Sequence, residues 1–327
     1  MFEDVQSFAF LGVTVYKYGL FLSIGTALWL CLCGFLAHKR GVSIRTVLLT
    51  GVLSIPMGLI FARITFSLIS LAYYLETIGQ PVAMLYFWDG GLSMMGTLLG
   101  VSLAAWIVAK VKKVPYGTLM DVLAVPAGVF LAFARLGEAY TTLGRGKIIE
   151  NQWLQDIAFF GIKESWSDDV FHAVFRYEAA IAILLFIVML ILFYSKAIRA
   201  RAKQGDLTLI FGALFGSSQV VLESLRDDGH LLWGFVRASQ VISILLPVAA
   251  IVVFSTRLIK REGVSTKMVA SWVLAVASIA LGIIKEFDID TSNNLLREYA
   301  MMSLGMAVLA LTAVYLWRTA TDSRLHA

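Results

Sequence analysis

Charge and cysteine are both scarce in this sequence. Of its 327 residues, 15% are Asp, Glu, Lys or Arg and 59% are hydrophobic, with a mean hydropathy of +0.81. Most of such a chain cannot be solvated and belongs in lipid. The only two cysteines, Cys31 and Cys33, lie in the middle of the first apolar run, where a disulfide has no structural use. They read as small apolar helix residues. With four histidines and no Cys/His cluster, no metal site is expected. A contiguous basic patch is also missing, because the net charge of +5 comes from Lys and Arg dispersed between apolar runs. This excludes a nucleic-acid surface and turns the basic residues into topology signals. No internal repeat, low-complexity tract or separate soluble domain is apparent, and the lack of repeats counts against a transporter. Glu3 and Asp4 precede the first apolar run and no A-x-A-like site follows it, so a retained first helix is expected rather than a cleaved signal peptide.

What the sequence does have is long apolar runs. A membrane-spanning helix needs about 20 mostly apolar residues, since a helix satisfies its own backbone in hydrocarbon; the unbroken runs exclude a barrel. Nine spans are predicted, at roughly 18–37, 46–73, 92–110, 117–136, 173–195, 206–225, 235–256, 267–285 and 299–318, the second long enough to tilt or break. The expected fold is therefore an all-α polytopic membrane protein. Lys39, Arg40 and Arg45 follow the first span, Lys110, Lys112 and Lys113 the third, Lys196, Arg199, Arg201 and Lys203 the fifth, and Arg257, Lys260, Arg261 and Lys267 the seventh. Acidic residues such as Glu76, Asp89, Glu150, Asp156 and Asp290 fill the alternate loops. The positive-inside rule then places the N-terminus outside and the C-terminus, with Arg318 and Arg324, inside. The longest polar connection, about residues 137–171, lies outside and carries Trp153, Phe159, Phe160 and Trp166, as an interfacial head or arm would.

Ionisable groups at span ends carry the functional signal, because each costs about 2.5–3.5 kcal/mol at a helix centre unless paired or hydrated. Arg135, Glu138, Arg145 and Lys147 run from the fourth span into the long loop. His172, Arg176, Tyr177 and Glu178 open the fifth, and Glu223, Arg226, Asp227 and Asp228 close the sixth, followed by Arg237 and Gln240. By topology all three groups open toward one outer cavity. Two readings fit: arginines that snorkel and pair with neighbouring acids, or guanidinium forks that bind the phosphate of an anionic phospholipid. Gly90, Gly91, Gly96 and Gly100 suit either a loop that lets backbone approach a ligand or close helix packing.

The order of several short motifs narrows this. Tyr18-Gly19-Leu20, Gly58-x-x-x-Ala62-Arg63, Trp88-Asp89-Gly90-Gly91-Leu92-Ser93-Met94-Met95-Gly96, Asp121 to Pro126 and Arg135-Leu136-Gly137 follow one another. His172, Tyr177 and Glu178, and then Glu223, Arg226, Gln240 and Ser243, complete the series. Over roughly residues 10–256 the chain resembles the prolipoprotein diacylglyceryl transferases. The resemblance implies transfer of the diacylglyceryl group of phosphatidylglycerol to a lipobox cysteine thiol, outside the bacterial cytoplasmic membrane, with release of glycerol phosphate and with no metal or redox cofactor. It implies a seven-helix membrane domain over 1–257, with two additional helices in 258–327. Glu138, Arg135 and His172 become the candidate catalytic residues. Tyr18, Arg63, Ser93, Met95, Arg145, Tyr177, Glu178, Glu223, Arg226 and Gln240 become candidates for substrate binding. Three positions depart from the family pattern: Met95 where it has histidine, Leu143 where it has glutamate, and Gln219 where it has arginine. A diverged acceptor, protein or small molecule, and an inactive lipid-binding protein or assembly factor are therefore both open.

Overall fold

The computed structural model describes residues 6–86, 90–164, 167–228, 232–233, 236–289, 291–292 and 294–321. Glu3, Asp4, Trp88, Asp89, Trp166, Asp290 and Arg324, named above, lie outside them. The described chain opens on an antiparallel hairpin, β1 (Ser7–Phe10) and β2 (Val13–Tyr16), with Phe10 opposite Val13. Leu11 and Gly12 between them have φ of 50° and 79°, the left-handed pair whose twist suits a two-residue turn. This hairpin is not anticipated by the hydropathy reading, in which it merges with the approach to the first span.

Two long helices follow, α1 (Lys17–Lys39) and α2 (Ile44–Ile69), the second started by Ser43, whose hydroxyl accepts from the Thr46 N–H. Next come α3 (Met94–Lys112), α4 (Tyr116–Ala124) and α5 (Ala127–Gly137). The long connection holds α6 (Gln152–Asp156) and a second hairpin, β3 (Gly161–Lys163) with β4 (Val170–His172). Then follow α7 (Val174–Tyr194), α8 (Lys196–Arg199) and α9 (Asp206–Ser224), the short pair β5 (Leu232–Trp233) and β6 (Val236–Arg237), α10 (Ala238–Glu262), α11 (Thr266–Ile289) and α12 (Leu295–Thr321).

Among the described residues, eight helices are long and apolar enough to cross a membrane, or nine if α4 and the α5 segment are one span bent by 46°. The bend falls at Pro126, which lacks an N–H and clashes with the preceding turn. Trp29 on α1 donates its indole N–H to the Leu123 carbonyl at 2.9 Å, supplying a partner beside the break, as hydrocarbon requires. The spans read from the sequence coincide with these helices, so the all-α polytopic fold holds.

Small residues set the closest helix approach. A Cβ on Gly100 would stand 2.3 Å from the Met57 carbonyl oxygen, and one on Gly96 would stand 2.4 Å from that of Phe61. For Gly96 and Gly100, close packing of α3 on α2 is the reading the geometry shows, whereas Gly90 and Gly91 precede the helix with φ of 78° and 64°. Helix α9 is the most enclosed, packed by α7, α10 and α12, and so carries polar residues into the interior. Large apolar side chains such as Leu48, Val52 and Ile55 on α2, and Leu184, Ile187 and Ile191 on α7, remain on the outer surface, as lipid contact demands. The start of α9 is tied to α12 through buried Asp206, which accepts from the Trp317 indole at 2.8 Å and pairs with Arg257. Arg261 donates to the carbonyls of Thr319 and Ala320.

Candidate functional site

At the opposite end of α9, four segments close on one charged cluster: the end of α5, the start of α7, the end of α9 and the turn after it. Arg135, in the last turn of α5, is 6% exposed. Its Nη1 donates to Glu138 Oε1 at 2.8 Å, and its Nη2 lies 3.0 Å from Glu178 Oε1, 3.1 Å from Gln219 Oε1 and 3.8 Å from Glu223 Oε1. Arg226, equally buried, places Nη1 at 3.1 Å from Glu178 Oε2 and 3.3 Å from Glu138 Oε2. Its Nε and Nη2 both donate to Asp228 Oδ2, at 2.9 and 2.7 Å. Glu138 and Glu178 thus each bridge the same two guanidiniums. Desolvation makes such charges expensive unless fully paired, which is why the cations and carboxylates come as a closed set.

Asp228 anchors the far side. It accepts from Arg237 Nη1 at 2.9 Å and from the Gly144 N–H at 2.9 Å. Burial alone would raise its pKa, but the Arg226 guanidinium, the Gly144 N–H and Arg237 outweigh it and hold the carboxyl well below its usual range. Gly144 has φ of 73°, and a Cβ there would meet Glu138 Oε2 at 2.6 Å; only glycine permits this approach. Arg145 joins from the long connection. It donates to the carbonyls of Glu138 and Leu143 at 3.1 and 2.7 Å and pairs with Glu164 at 2.5 Å. Its own carbonyl accepts from the Asp227 N–H at 2.7 Å.

Of the residues singled out from the sequence, Arg135, Glu138, Arg145, Glu178, Glu223 and Arg226 form this cluster. Tyr18 lies beside it, its ring 2.9 Å from where a Cβ on Gly137 would stand. Gln240 reaches it through Arg237, whose backbone N–H it accepts at 3.1 Å. Arg63, Ser93 and Met95 are held elsewhere, on the α2–α3 pair. Arg63 donates to the carbonyls of Ala83, Met84, Gly90 and Gly91, bracing the loop before α3. The Ser93 hydroxyl caps α3, and Met95 is buried in the apolar core with Leu131 and Ala132. Glu164 and Gly144 belong to the site without having been singled out, because nothing in their spacing ties them to Arg145 or Glu138.

His172 and Tyr177 lie one layer outward. The Tyr177 hydroxyl donates to the Phe160 carbonyl at 2.8 Å and lies 2.9 Å from His172 Nδ1. Having given its one hydrogen, it accepts from Nδ1–H, which leaves Nε2 as the basic nitrogen. Burial lowers the imidazole pKa from its ordinary 6.5. The unfolded chain then binds the proton more readily, so the contribution is intact above pH 6.5 and stability falls as pH drops below it. Corrected for intrinsic rates, protection of the Gly146 and His172 amides, which bond across β4, should fall on acidification below pH 6.5 and stay level in His172→Gln.

A family model described as prolipoprotein diacylglyceryl transferase matches residues 6–256. A phosphatidylglycerol–prolipoprotein diacylglyceryl transferase of Listeria monocytogenes serotype 4b is 28% identical over 253 residues, covering 76% of this chain and 88% of that protein. The protein of the same name from Bacillus licheniformis is 28% identical over 251 residues, with 76% and 90% covered. That from Trichormus variabilis is 27% identical over 242, with 71% and 82% covered. The matched region runs from β1 into α10 and contains every arginine and carboxylate of the cluster, so the chain belongs to the prolipoprotein diacylglyceryl transferase family.

Proposed function

We propose that this multi-pass bacterial membrane protein transfers a diacylglyceryl group from an anionic phospholipid, phosphatidylglycerol by its relatives' names, to a nucleophilic acceptor at the outer face. The observation that carries the reading is Glu138 bridging Arg135 and Arg226, a carboxylate held where two guanidinium forks could instead grip a phosphate. When lipid phosphate takes over the two cations, the Glu138 carboxylate is freed to accept the proton of the acceptor. In the lipoprotein reaction that acceptor is a thiol. Its sulfur attacks the glycerol carbon, a C–S bond forms, the C–O bond to phosphate breaks, and the electron pair leaves with glycerol phosphate. The arginines stabilise that developing charge.

The test is purified protein with phosphatidylglycerol and cysteine-bearing lipobox peptides, products read by mass spectrometry. A peptide gaining one diacylglyceryl group, with glycerol phosphate released, is expected. A second reading, a lipid-binding protein without turnover, is favoured by Met95, which stands in the apolar core where a family histidine would accept a proton. Retention of phosphatidylglycerol with no transfer to any thiol or hydroxyl acceptor would select it.

The orientation with N-terminus outside and C-terminus inside follows from the basic loops. Asp168, at the exposed tip between β3 and β4, offers the check. Asp168→Cys in a Cys31→Ala, Cys33→Ala background should react with an impermeant thiol reagent on intact cells. Reaction only after membrane rupture would reverse the topology.

A further inference from the structure

The family match ends inside α10, yet the two helices beyond it reach back to the arginine cluster. Glu286 on α11 accepts from Gln240 Nε2 at 3.0 Å. Gln240, in the first turn of α10, takes the Arg237 backbone N–H on Oε1 at 3.1 Å and also donates to the Val220 carbonyl at 3.3 Å. Arg237 donates to Asp228 Oδ1 at 2.9 Å and to the Arg226 carbonyl at 2.8 Å, and Asp228 in turn holds the Arg226 side chain. A continuous hydrogen-bonded path therefore joins α11 to the Arg226 guanidinium. Helix α12 adds a second attachment, where the Tyr299 hydroxyl donates to the Ser224 carbonyl at 3.1 Å, two residues before Arg226. Lys285 sets the register of the pair, meeting Glu298 at 2.7 Å and Asp288 at 2.6 Å; Glu286 and Tyr299 are the next residues along their helices.

The chemistry of Gln240 makes this contact directional. An amide offers two N–H donors on one side and an acceptor oxygen on the other. A carboxylate only accepts, so Glu286, together with the Val220 carbonyl, holds the orientation that presents Nε2 to α11 and Oε1 to the Arg237 N–H. Without Glu286, one Nε2 hydrogen loses its acceptor and the amide that holds the Arg237 N–H is fixed only by the longer bond to the Val220 carbonyl.

We propose that Glu286 is a positioning residue for the arginine site, and that the α11–α12 pair is a brace holding Arg237 and Asp228, and through them Arg226. Its effect on transfer rests on the function proposed above; its effect on the geometry of the cluster does not.

The experiment compares Glu286→Ala, Glu286→Gln and Tyr299→Phe in the full chain, in micelles containing phosphatidylglycerol, by amide exchange and by transfer. In Glu286→Ala the Gly144 and Asp227 amides, which bond Asp228 and Arg145, should exchange about tenfold faster. The Lys203 and Thr208 amides at the other end of α9 should keep their rates, and Glu286→Gln, which retains an acceptor oxygen, should restore the wild-type pattern. Tyr299→Phe should loosen the same amides to a smaller degree. Where the wild type is active, kcat should fall about tenfold in Glu286→Ala and recover in Glu286→Gln. Unchanged exchange at Gly144 and Asp227, acceleration along the whole chain, or a wild-type kcat in Glu286→Ala would each overturn the proposal. An inactive wild type with the local exchange pattern intact would instead overturn the transferase reading and leave the brace standing.

Discussion

Arg226→Gln is expected to destabilise the detergent-purified protein by about 3–5 kcal/mol, the usual consequence of removing one partner from a buried ionic set, and to abolish transfer. The Arg226 guanidinium lies within 3.3 Å of carboxylate oxygens from Glu138, Glu178 and Asp228. Its loss leaves three carboxylates to Arg135 and Arg237, where each additional unpaired charge is opposed by low polarity. Arg226→Lys retains the charge but not the fork that reaches two acceptors on one side and a third on the other, so it should recover stability only in part. The mechanism has its own signature. Adding Glu178→Gln to Arg226→Gln should restore some of the loss, because it removes one of the stranded charges. Thermal midpoints of the two single variants and the double variant in the same micelles measure this coupling. A wild-type midpoint in Arg226→Gln would mean that the cluster is solvated and that its arginines do not hold it together.

Glu138→Gln should lower the transfer rate by about 10²–10⁴, the range for loss of a general base, with lipid binding spared and a smaller loss of stability than in Arg226→Gln. The glutamine oxygen can still accept from Arg135 Nη1, where Glu138 Oε1 now sits at 2.8 Å. The lost group is the basic oxygen, Oε2, which is buried without a hydrogen bond and contacts Arg226 only as an ion at 3.3 Å. Initial rates with phosphatidylglycerol and a lipobox peptide, beside Arg135→Gln as a control for phosphate binding, give the comparison. Arg135→Gln should weaken lipid retention, which Glu138→Gln should spare. Wild-type rates in Glu138→Gln would move the base to His172, whose Nε2 is left basic by the bond from Nδ1 to Tyr177.

Hydropathy alone located the membrane-crossing helices because each must bury its own backbone, and because the basic and acidic loops alternate. It did not separate α4 from α5, since Pro126 bends a run that stays apolar on both sides. It also passed over the β1–β2 hairpin, whose residues are as apolar as the helix that follows. Arg135, Glu138, Glu178 and Arg226 were legible as a group because charges at span ends are costly and must meet one another. The partners that complete the site were not. Glu164 and Glu286 reach Arg145 and Gln240 from far along the chain, and Gly144 matters for the space it leaves beside Glu138, which no spacing rule encodes. Arg63 and Met95 were chosen as substrate-binding candidates by motif position alone, which does not show that Arg63 braces the loop before α3 or that Met95 packs in the apolar core.

The cluster also constrains how the chain can be made. Synthesis delivers Arg135 and Glu138 at the end of α5, when they have only each other. Glu178 arrives with α7, and Arg226 and Asp228 follow only after α9 has emerged. Until then Arg135 lacks Gln219 and Glu223, and Glu138 and Glu178 lack their second guanidinium, so the early helices gain little by leaving the insertion machinery one at a time. Release of α5, α7 and α9 as a group, with the charges already neutralised among them, is the order of assembly that this arrangement favours.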